Sequence, residues 1–141
     1  HAVQGCPFDM RLGIKISEAE RKLRENQIDT DNFEDERAGR TPESVFRELL
    51  DTRPESEDLV FTHGDYCTPN VLVNPDTLAL SGFIDWGRAG IADRYQDVAL
   101  AARSIEYNFG REWVEPFLQA YGIQQPDTAK LKFYRLLDEF Y

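Results

Sequence analysis

The chain has 141 residues, of which 41% are hydrophobic and 30% charged, and its net charge at pH 7 is −10. This composition is typical of one acidic folded domain and excludes a disordered chain. With 26 acidic against 16 basic side chains, no basic face is available for phosphates, so we expect no nucleic-acid partner. No run approaches the ~20 apolar residues of a membrane span, and the first residues lack a signal-peptide pattern, so we expect a cytoplasmic protein with no membrane partner.

The first third of the chain predicts two helices separated by an acidic loop. Apolar residues recur at intervals of three and four between Met10 and Gln27, which favours an amphipathic helix. Residues 29–36 hold five acids and no base, and their mutual repulsion favours a loop. Thr41 followed by Pro42 predicts the next helix start, because the Thr hydroxyl can cap free amides and Pro lacks the N–H that would go unused there.

Short apolar, β-branched segments follow in the middle of the chain. Residues 58–62 and 71–73 have this character, and turn-forming residues at 74–76 precede a further such segment at 78–84. The pattern predicts a small sheet or hairpin.

The remainder is predicted to be helical over residues 94–107, 112–121 and 128–140. Pro116 lies inside the second helix, which predicts a kink or a later start, because a proline in a helix interior removes a hydrogen bond. Asp127 is the candidate cap of the third helix. The aromatic residues at helical spacing are expected to pack in the core: Phe109, Trp113, Phe117, Tyr121, Phe133 and Tyr134.

The residues that carry chemistry stand in two loops, HGDYCTPN at 63–70 and IDWGR at 84–88. Each loop follows a predicted short strand, so Asp65, Asn70 and Asp85 can converge on one point if the hairpin closes. Carboxylate and amide oxygens are hard ligands that suit Mg²⁺. In phosphoryl transfer, one Asp orients or deprotonates the attacking hydroxyl while an Asn and a second Asp hold the metal. The two loops therefore favour a phosphotransferase site.

The pattern HGDxxxxN, followed by FIDWGRAGIADRYQD, resembles the catalytic and metal loops of aminoglycoside phosphotransferases, most closely the 3′-phosphotransferases of kanamycin and neomycin resistance. This family is similar to protein kinases, whose catalytic loop has Asp and Asn at the same spacing. The resemblance extends from Cys6 to Tyr141. It implies an α+β fold, the C-terminal lobe of a kinase-like enzyme, mainly helical, with a small β-hairpin carrying both loops and with residues 1–141 as one unit.

The resemblance also implies a role for individual residues. Asp65 is the implied catalytic base with Arg88 beside its carboxylate, and Asn70 and Asp85 are the implied Mg²⁺ ligands. Three further loop residues are expected to be structural: His63, Gly64 and Gly87. Aminoglycosides carry several ammonium groups, and the implied contacts to them are Asp31, Asn32 and Glu34 in the acidic loop and Asp138, Glu139 and Tyr141 at the C-terminus.

Each acidic assignment has an alternative. The loop acids could simply be solvated, and Asp138 and Glu139 could lie in a frayed helix end. Negative charges at a helix C-terminus oppose the helix dipole, however, which favours a cationic partner for these two residues. Asp93 and Asp97 are expected to attach their loop to the following helix, and Arg103 has a structural or a substrate-adjacent role.

A complete member of the family carries an N-terminal lobe with a Gly-rich loop and a Lys that hold ATP. This chain has no GxGxxG, and its lysines fall in predicted amphipathic helices. The resemblance therefore implies three partners, namely that N-terminal lobe, ATP with Mg²⁺, and an aminoglycoside, and it implies little or no activity for the isolated chain. Two alternatives stay open: a kinase of another small hydroxylated substrate such as choline, homoserine or a macrolide, and a non-catalytic aminoglycoside-binding remnant.

Overall fold

The computed structural model describes residues 3–141, in which helices pack around and beside two small antiparallel sheets. The α+β prediction is confirmed. The helices and strands follow in chain order as α1 (Leu12–Arg24), α2 (Pro42–Asp51), β1 (Leu59–Thr62), β2 (Val71–Val73), β3 (Leu80–Phe83), β4 (Gly90–Asp93), α3 (Tyr95–Phe109), α4 (Val114–Tyr121) and α5 (Thr128–Asp138). No helix among the described residues is long and apolar enough to cross a membrane.

The two sheets hold the loops that carry the chemistry. Strands β2 and β3 form the predicted hairpin, with Val71 opposite Phe83. Strand β1 pairs with β4, with Leu59 opposite Asp93. The sequence pattern did not predict β4, because its four residues are all buried and therefore show no alternation of polar and apolar side chains. One loop lies between β1 and β2 and the other between β3 and β4, so the pairing brings both to one end of the sheets.

The core lies around α3, which is buried along most of its length and packs against α5. Apolar side chains of α1 and α2 close the same cluster, among them Leu12, Val45 and Leu49. Phe133 and Tyr134 are buried as predicted, but Phe109, Trp113 and Tyr121 are 61%, 57% and 41% exposed, so for these three the core prediction was wrong. Phe109 ends α3 and Trp113 lies in a separate 3-10 turn, so neither continues the helical face that the spacing assumed.

The helix starts follow the predicted end chemistry. Thr41 Oγ1 accepts from the Ser44 N–H at 3.3 Å, and Asp127 Oδ1 accepts from the Lys130 N–H at 3.0 Å. Helix α4 begins at Val114, later than its apolar pattern suggested, so Pro116 lies in the first turn, where no intrahelical N–H is needed. The acidic loop holds only two short 3-10 turns, at Thr30–Asn32 and Asp35–Arg37.

Candidate active site

A half-buried carboxylate fixes the turn that begins the first loop. Asp97, in the first turn of α3, accepts the N–H of His63 at 2.7 Å and that of Gly64 at 2.8 Å. Burial raises the pKa of Asp97, while these two hydrogen bonds oppose the rise. Asp97 therefore attaches the first loop to α3, as expected from the sequence.

Gly64 lets the two loops touch. Its φ is +85°, and a Cβ there would lie 2.0 Å from the Arg88 carbonyl oxygen. Only glycine accommodates both that conformation and that approach. Gly87 differs, because its φ is not positive and a Cβ would meet nothing nearer than Asp85 Oδ1 at 3.9 Å. Gly87 lies in a turn in which the Ala89 N–H donates to the Trp86 carbonyl at 3.0 Å, and this turn does not require a glycine.

His63 connects the loops through both ring nitrogens. Nδ1 accepts from the Asp65 N–H at 3.3 Å, and Nε2 lies 2.8 Å from the Ile84 carbonyl oxygen. Since Nδ1 accepts, Nε2 carries the proton and donates to Ile84. The ring also packs against Trp86, with the two centroids 4.5 Å apart. Both nitrogens are thus engaged within the loops.

The structure brings Asp65, Asn70 and Arg88 together. Asp65 Oδ2 lies 3.2 Å from Arg88 Nη2 and accepts from Asn70 Nδ2, also at 3.2 Å. Asn70 Nδ2 further donates to the Asp65 carbonyl at 2.9 Å. The Asp65 Oδ1 atom accepts from the Cys67 thiol at 3.3 Å. Burial, together with the charge and hydrogen bond of Asp65, raises the pKa of this thiol to about 11, so it stays protonated and donates.

Asp85 presents a free carboxylate beside this group. The Ile84 N–H donates to the Asn70 carbonyl at 3.1 Å, which joins the two loops next to Asp85. Asp85 is exposed, has φ +63°, and makes no hydrogen bond or ion pair within residues 3–141. A non-glycine residue at positive φ costs about 1–3 kcal/mol, and such residues cluster at functional sites.

The donor chemistry of this group fits Mg²⁺. Asn70 uses its amide nitrogen internally and its amide oxygen accepts nothing from the described residues, while the Asp85 carboxylate is free. Mg²⁺ prefers such hard oxygens and takes its remaining ligands from waters and phosphates. Across residues 3–141 no three His, Cys, Asp or Glu side chains gather as a metal site of protein ligands alone.

The second group of predicted residues is an acidic cluster, Glu34, Asp138 and Glu139, and arginines of this chain already pair with it. The ion pairs are Glu34 with Arg37 at 3.0 Å and with Arg103 at 3.2 Å, Asp138 with Arg88 at 2.8 Å and with Arg103 at 2.5 Å, and Glu139 with Arg37 at 2.9 Å. The cationic partners predicted from the helix dipole therefore include internal arginines. Sequence reasoning missed Arg37, which lies 102 residues from Glu139.

Arg88 connects the acidic cluster to the loop that carries Asp65. One guanidinium contacts both Asp65 and Asp138. Burial disfavours its charge, but Asp138 and Asp65 outweigh burial and raise the pKa of Arg88 above its ordinary value. A cavity of about 910 Å³ opens beside it, lined by the acidic cluster and also by Asn32, Cys67, Arg103, Glu106 and Tyr141. Asp31 does not line this cavity; its side chain is exposed.

Tyr141 lies against the N-terminal helix. Its hydroxyl donates to the Lys15 carbonyl at 2.9 Å, and the ammonium groups of Lys15 and Lys22 lie 4.7 and 4.4 Å from its ring centroid. Lys15 is only 2% exposed, and burial together with the charge of Arg88 lowers its pKa to about 8, against the opposing effect of Asp138. The lysine that sequence analysis assigned to an amphipathic helix is therefore buried.

A helical lobe with a small β-hairpin, in which an Asp and an Asn share one loop and a second Asp follows the hairpin, is the kinase-like arrangement that the sequence resemblance implied. The model of the phosphotransferase enzyme family known as APH matches residues 1–134, and the chain belongs to that family. The resemblance found in the sequence is thereby confirmed.

Several named relatives are similar over nearly the whole chain. An aminoglycoside 3′-phosphotransferase from Streptomyces fradiae is 48% identical over 99% of this chain, and one from Niallia circulans is 42% identical over 99%. These alignments cover 53% and 52% of the two relatives, so the chain spans about half the length of the curated relatives it matches.

Solved structures show the same fold. The crystal structure of an aminoglycoside-3′-phosphotransferase of type VIII matches this chain with a TM-score of 0.93 and 39% identity. The match covers 100% of this chain and 55% of the other protein's chain. An aminoglycoside phosphotransferase from Streptomyces rimosus, in complex with ADP and streptomycin, matches with a TM-score of 0.86 and 31% identity. This match covers 99% of this chain and 56% of the other protein's chain.

Proposed function

We propose that this chain supplies the catalytic, metal-binding and aminoglycoside-binding half of an ATP-dependent aminoglycoside 3′-phosphotransferase. The observation that carries the proposal is that Asp65 is held by Asn70 within one loop, and that the Asn70 carbonyl accepts from Ile84, the residue before Asp85. The Asp65 carboxylate is thus held by hydrogen bonds, while the Asp85 carboxylate and the Asn70 amide oxygen stay free. Phosphoryl transfer needs such an arrangement, since one carboxylate faces the hydroxyl while the second carboxylate and the amide oxygen face the metal. The named relatives support the same reaction class.

In this proposal, Asp65 accepts the proton of the substrate hydroxyl. The hydroxyl oxygen then forms a bond to the γ-phosphorus of ATP, and the bond from that phosphorus to the β–γ bridging oxygen breaks, so ADP leaves with the electron pair. Asn70 and Asp85 would hold Mg²⁺, which when bound neutralises the phosphate charge. Arg88 holds Asp65 in place through the contact at Oδ2.

The cavity beside Asp65 suits a cationic substrate. Its lining holds seven acids against three bases, the acids being Asp29, Glu34, Asp35, Glu36, Glu106, Asp138 and Glu139. A hydrogen bond between an ammonium and a carboxylate contributes roughly 1.5–3 kcal/mol. Several such bonds would orient an aminoglycoside, and we assign its contacts to Asn32, Glu34, Asp138, Glu139 and Tyr141, with Asp31 at the outer edge.

The N-terminal lobe of such an enzyme is the proposed partner for the hairpin side of the chain. Large apolar side chains there are 44–58% exposed, namely Leu72, Val73, Leu80, Ile84 and Trp86. Exposed apolar side chains in one region mark an interaction surface. We propose that this lobe covers them, contributes most of the ATP site and acts with this half in the cytoplasm, and that the chain alone turns over little or no substrate.

The test is to supply that lobe. Fusing the N-terminal half of the Streptomyces fradiae relative to this chain should give an enzyme that transfers phosphate from ATP to kanamycin, with the product position read by phosphorus and proton NMR. Within the fusion, Asp65→Asn should lower kcat by ~10³-fold, since a general base contributes about 10²–10⁴. The exposed Asp76, in the hairpin turn, provides the matched control as Asp76→Asn.

The outcome also separates the alternatives. A fusion that phosphorylates choline, homoserine or a macrolide in preference to kanamycin would replace the substrate but keep the kinase. A folded fusion that binds kanamycin without turnover would support a non-catalytic remnant. Turnover of kanamycin by the isolated chain would contradict the need for the second lobe.

A further inference from the structure

The two carboxylate oxygens of Asp65 have different partners. Oδ2 is held by Arg88 and Asn70, both at 3.2 Å, and each of these is fixed in turn: Arg88 by Asp138 at 2.8 Å and Asn70 by the Asp65 carbonyl at 2.9 Å. Within residues 3–141, Oδ1 accepts only from the Cys67 thiol, at 3.3 Å. The two oxygens are therefore not equivalent as acceptors for an incoming hydroxyl.

Cys67 stands between Oδ1 and the cavity. The half-buried Cys67 lines the cavity of about 910 Å³, whereas Asp65 does not line it. The backbone of Cys67 is fixed, because its N–H donates to the Asp65 carbonyl at 2.9 Å and its carbonyl accepts from the Asn70 N–H at 3.0 Å. Only the thiol can move, by rotation about one bond. A hydroxyl that enters from the cavity reaches Oδ1 past this thiol.

A thiol is suited to such a place because it is a weak donor. A partly buried carboxylate oxygen without a donor loses free energy relative to a hydrogen-bonded one. A strong donor at the same place would compete with the substrate hydroxyl for Oδ1. The thiol satisfies the oxygen in the empty site and is displaced at low cost.

We propose that Oδ1 of Asp65 is the oxygen that receives the substrate proton, and that Cys67 is a positioning residue whose thiol occupies Oδ1 until the substrate hydroxyl displaces it. This inference rests on the proposed function, because it assigns Asp65 as the base. The proton moves from the substrate hydroxyl to Oδ1, and the thiol keeps its own proton throughout.

The test compares donors of different strength at position 67 in the fusion enzyme. Cys67→Ser places a stronger donor on Oδ1 and should lower kcat/KM for kanamycin by roughly tenfold, equivalent to about 1.4 kcal/mol. Cys67→Ala removes the donor and should leave kcat/KM at or above the wild-type value. If Cys67 only packs against its neighbours, Cys67→Ser should keep a higher kcat/KM than Cys67→Ala, because serine matches cysteine in size better than alanine does.

The other thiol provides the matched control. Cys6 does not line the cavity, and its thiol is directed at the Phe8 carbonyl at 3.9 Å and not at Asp65, so Cys6→Ser and Cys6→Ala should give equal kcat/KM values. A direct readout is the S–H stretching band of Cys67 in the infrared difference between wild type and Cys67→Ala. Loss of the bond to a carboxylate should move this band to higher frequency when kanamycin binds.

Each outcome decides one claim. Activity in the order Cys, then Ser, then Ala, or an S–H band that kanamycin does not move, would overturn the role of Cys67 and leave the proposed function standing. Retention of activity by Asp65→Asn would instead overturn the proposed function itself, and the inference with it.

Discussion

The two candidate-site loops, at residues 63–70 and 84–88, and the acidic cluster all present carboxylates to the same part of the molecule, yet these carboxylates differ in their partners. In the loops, Asp85 is exposed and unpaired among the described residues, and Asp65 keeps one oxygen facing only a thiol. In the acidic cluster, every carboxylate is paired with an arginine of this chain. Formal charge is therefore a poor guide to which acids can receive a ligand.

The contrast has a physical basis in what each region would bind. A divalent cation has a high charge density and needs oxygens that carry no other strong partner. An ammonium group on a large substrate can instead share a carboxylate, since each ionised carboxylate has about four acceptor positions. The paired acids are held in fixed positions by their arginines and still offer lone pairs to the cavity.

The largest expected effect tests the free carboxylate. Asp85→Ala in the fusion enzyme should lower kcat by ~10³-fold, because loss of one anionic ligand removes several kcal/mol of charge stabilisation at the metal. The measurement is turnover at increasing Mg²⁺ concentration, with Asp76→Ala as the control for loss of an exposed acid. Full activity of Asp85→Ala would show that the reaction does not need this free carboxylate.

The next effect tests how the loops are held. Gly64→Ala forces a Cβ to 2.0 Å from the Arg88 carbonyl at a φ of +85°, so we expect a loss of about 10²-fold in kcat as the loops separate. Gly87→Ala, whose Cβ would make only an ordinary contact with Asp85 Oδ1 at 3.9 Å, is the matched control and should stay within roughly threefold. Equal losses in the two variants would show that loop contact does not set the geometry.

A smaller effect tests the paired acids. Asp138→Asn and Glu139→Gln should each weaken kanamycin binding by roughly tenfold, within the range of one charge-assisted hydrogen bond. Calorimetric titration measures the affinity, and Glu43→Gln, an exposed acid in the first turn of α2, is the control. Unchanged affinity in both variants would point away from an aminoglycoside and towards another hydroxylated substrate.

The smallest effect concerns stability and the buried cation beside both regions. The folded-state pKa of Lys15, about 8, lies below its ordinary 10.5, so burial of its ammonium destabilises the fold fully below pH 8 and progressively less as the pH rises towards 10.5. Lys15→Met should therefore raise the free energy of unfolding by about 1–2 kcal/mol at pH 7 and by clearly less at pH 9.5.

Urea denaturation at the two pH values measures this difference, with Lys132→Met as the control because Lys132 is exposed. If Lys15→Met raises the free energy of unfolding equally at both pH values, its effect comes from packing and not from the charge of Lys15.

The catalytic loops could be predicted from the sequence because their geometry is local. Asp65 and Asn70 are five residues apart in one loop, and a hairpin of predictable turn chemistry brings Asp85 back beside them. The pairing of Glu139 and Asp138 could not be predicted, because Arg37 and Arg103 lie 102 and 35 residues from these two carboxylates. No local pattern records such contacts.

The same distinction explains the errors in the fold. Helix ends were predictable where a cap stands next to its helix, as at Thr41 and Asp127. Strand β4 was missed, since a strand buried on both faces has no alternation to reveal it. Phe109 and Trp113 were misplaced because spacing along the chain does not show where a neighbouring helix stops covering a face.

The segment before α1 is joined directly to β4. The Ile91 N–H donates to the Phe8 carbonyl at 2.8 Å, and the Met10 N–H donates to the Ile91 carbonyl at 3.0 Å, in a parallel bridge. Ile91 comes three residues after Arg88. A displacement of the backbone at Phe8 or Met10 would therefore act, through these two hydrogen bonds, directly on the segment that follows Arg88.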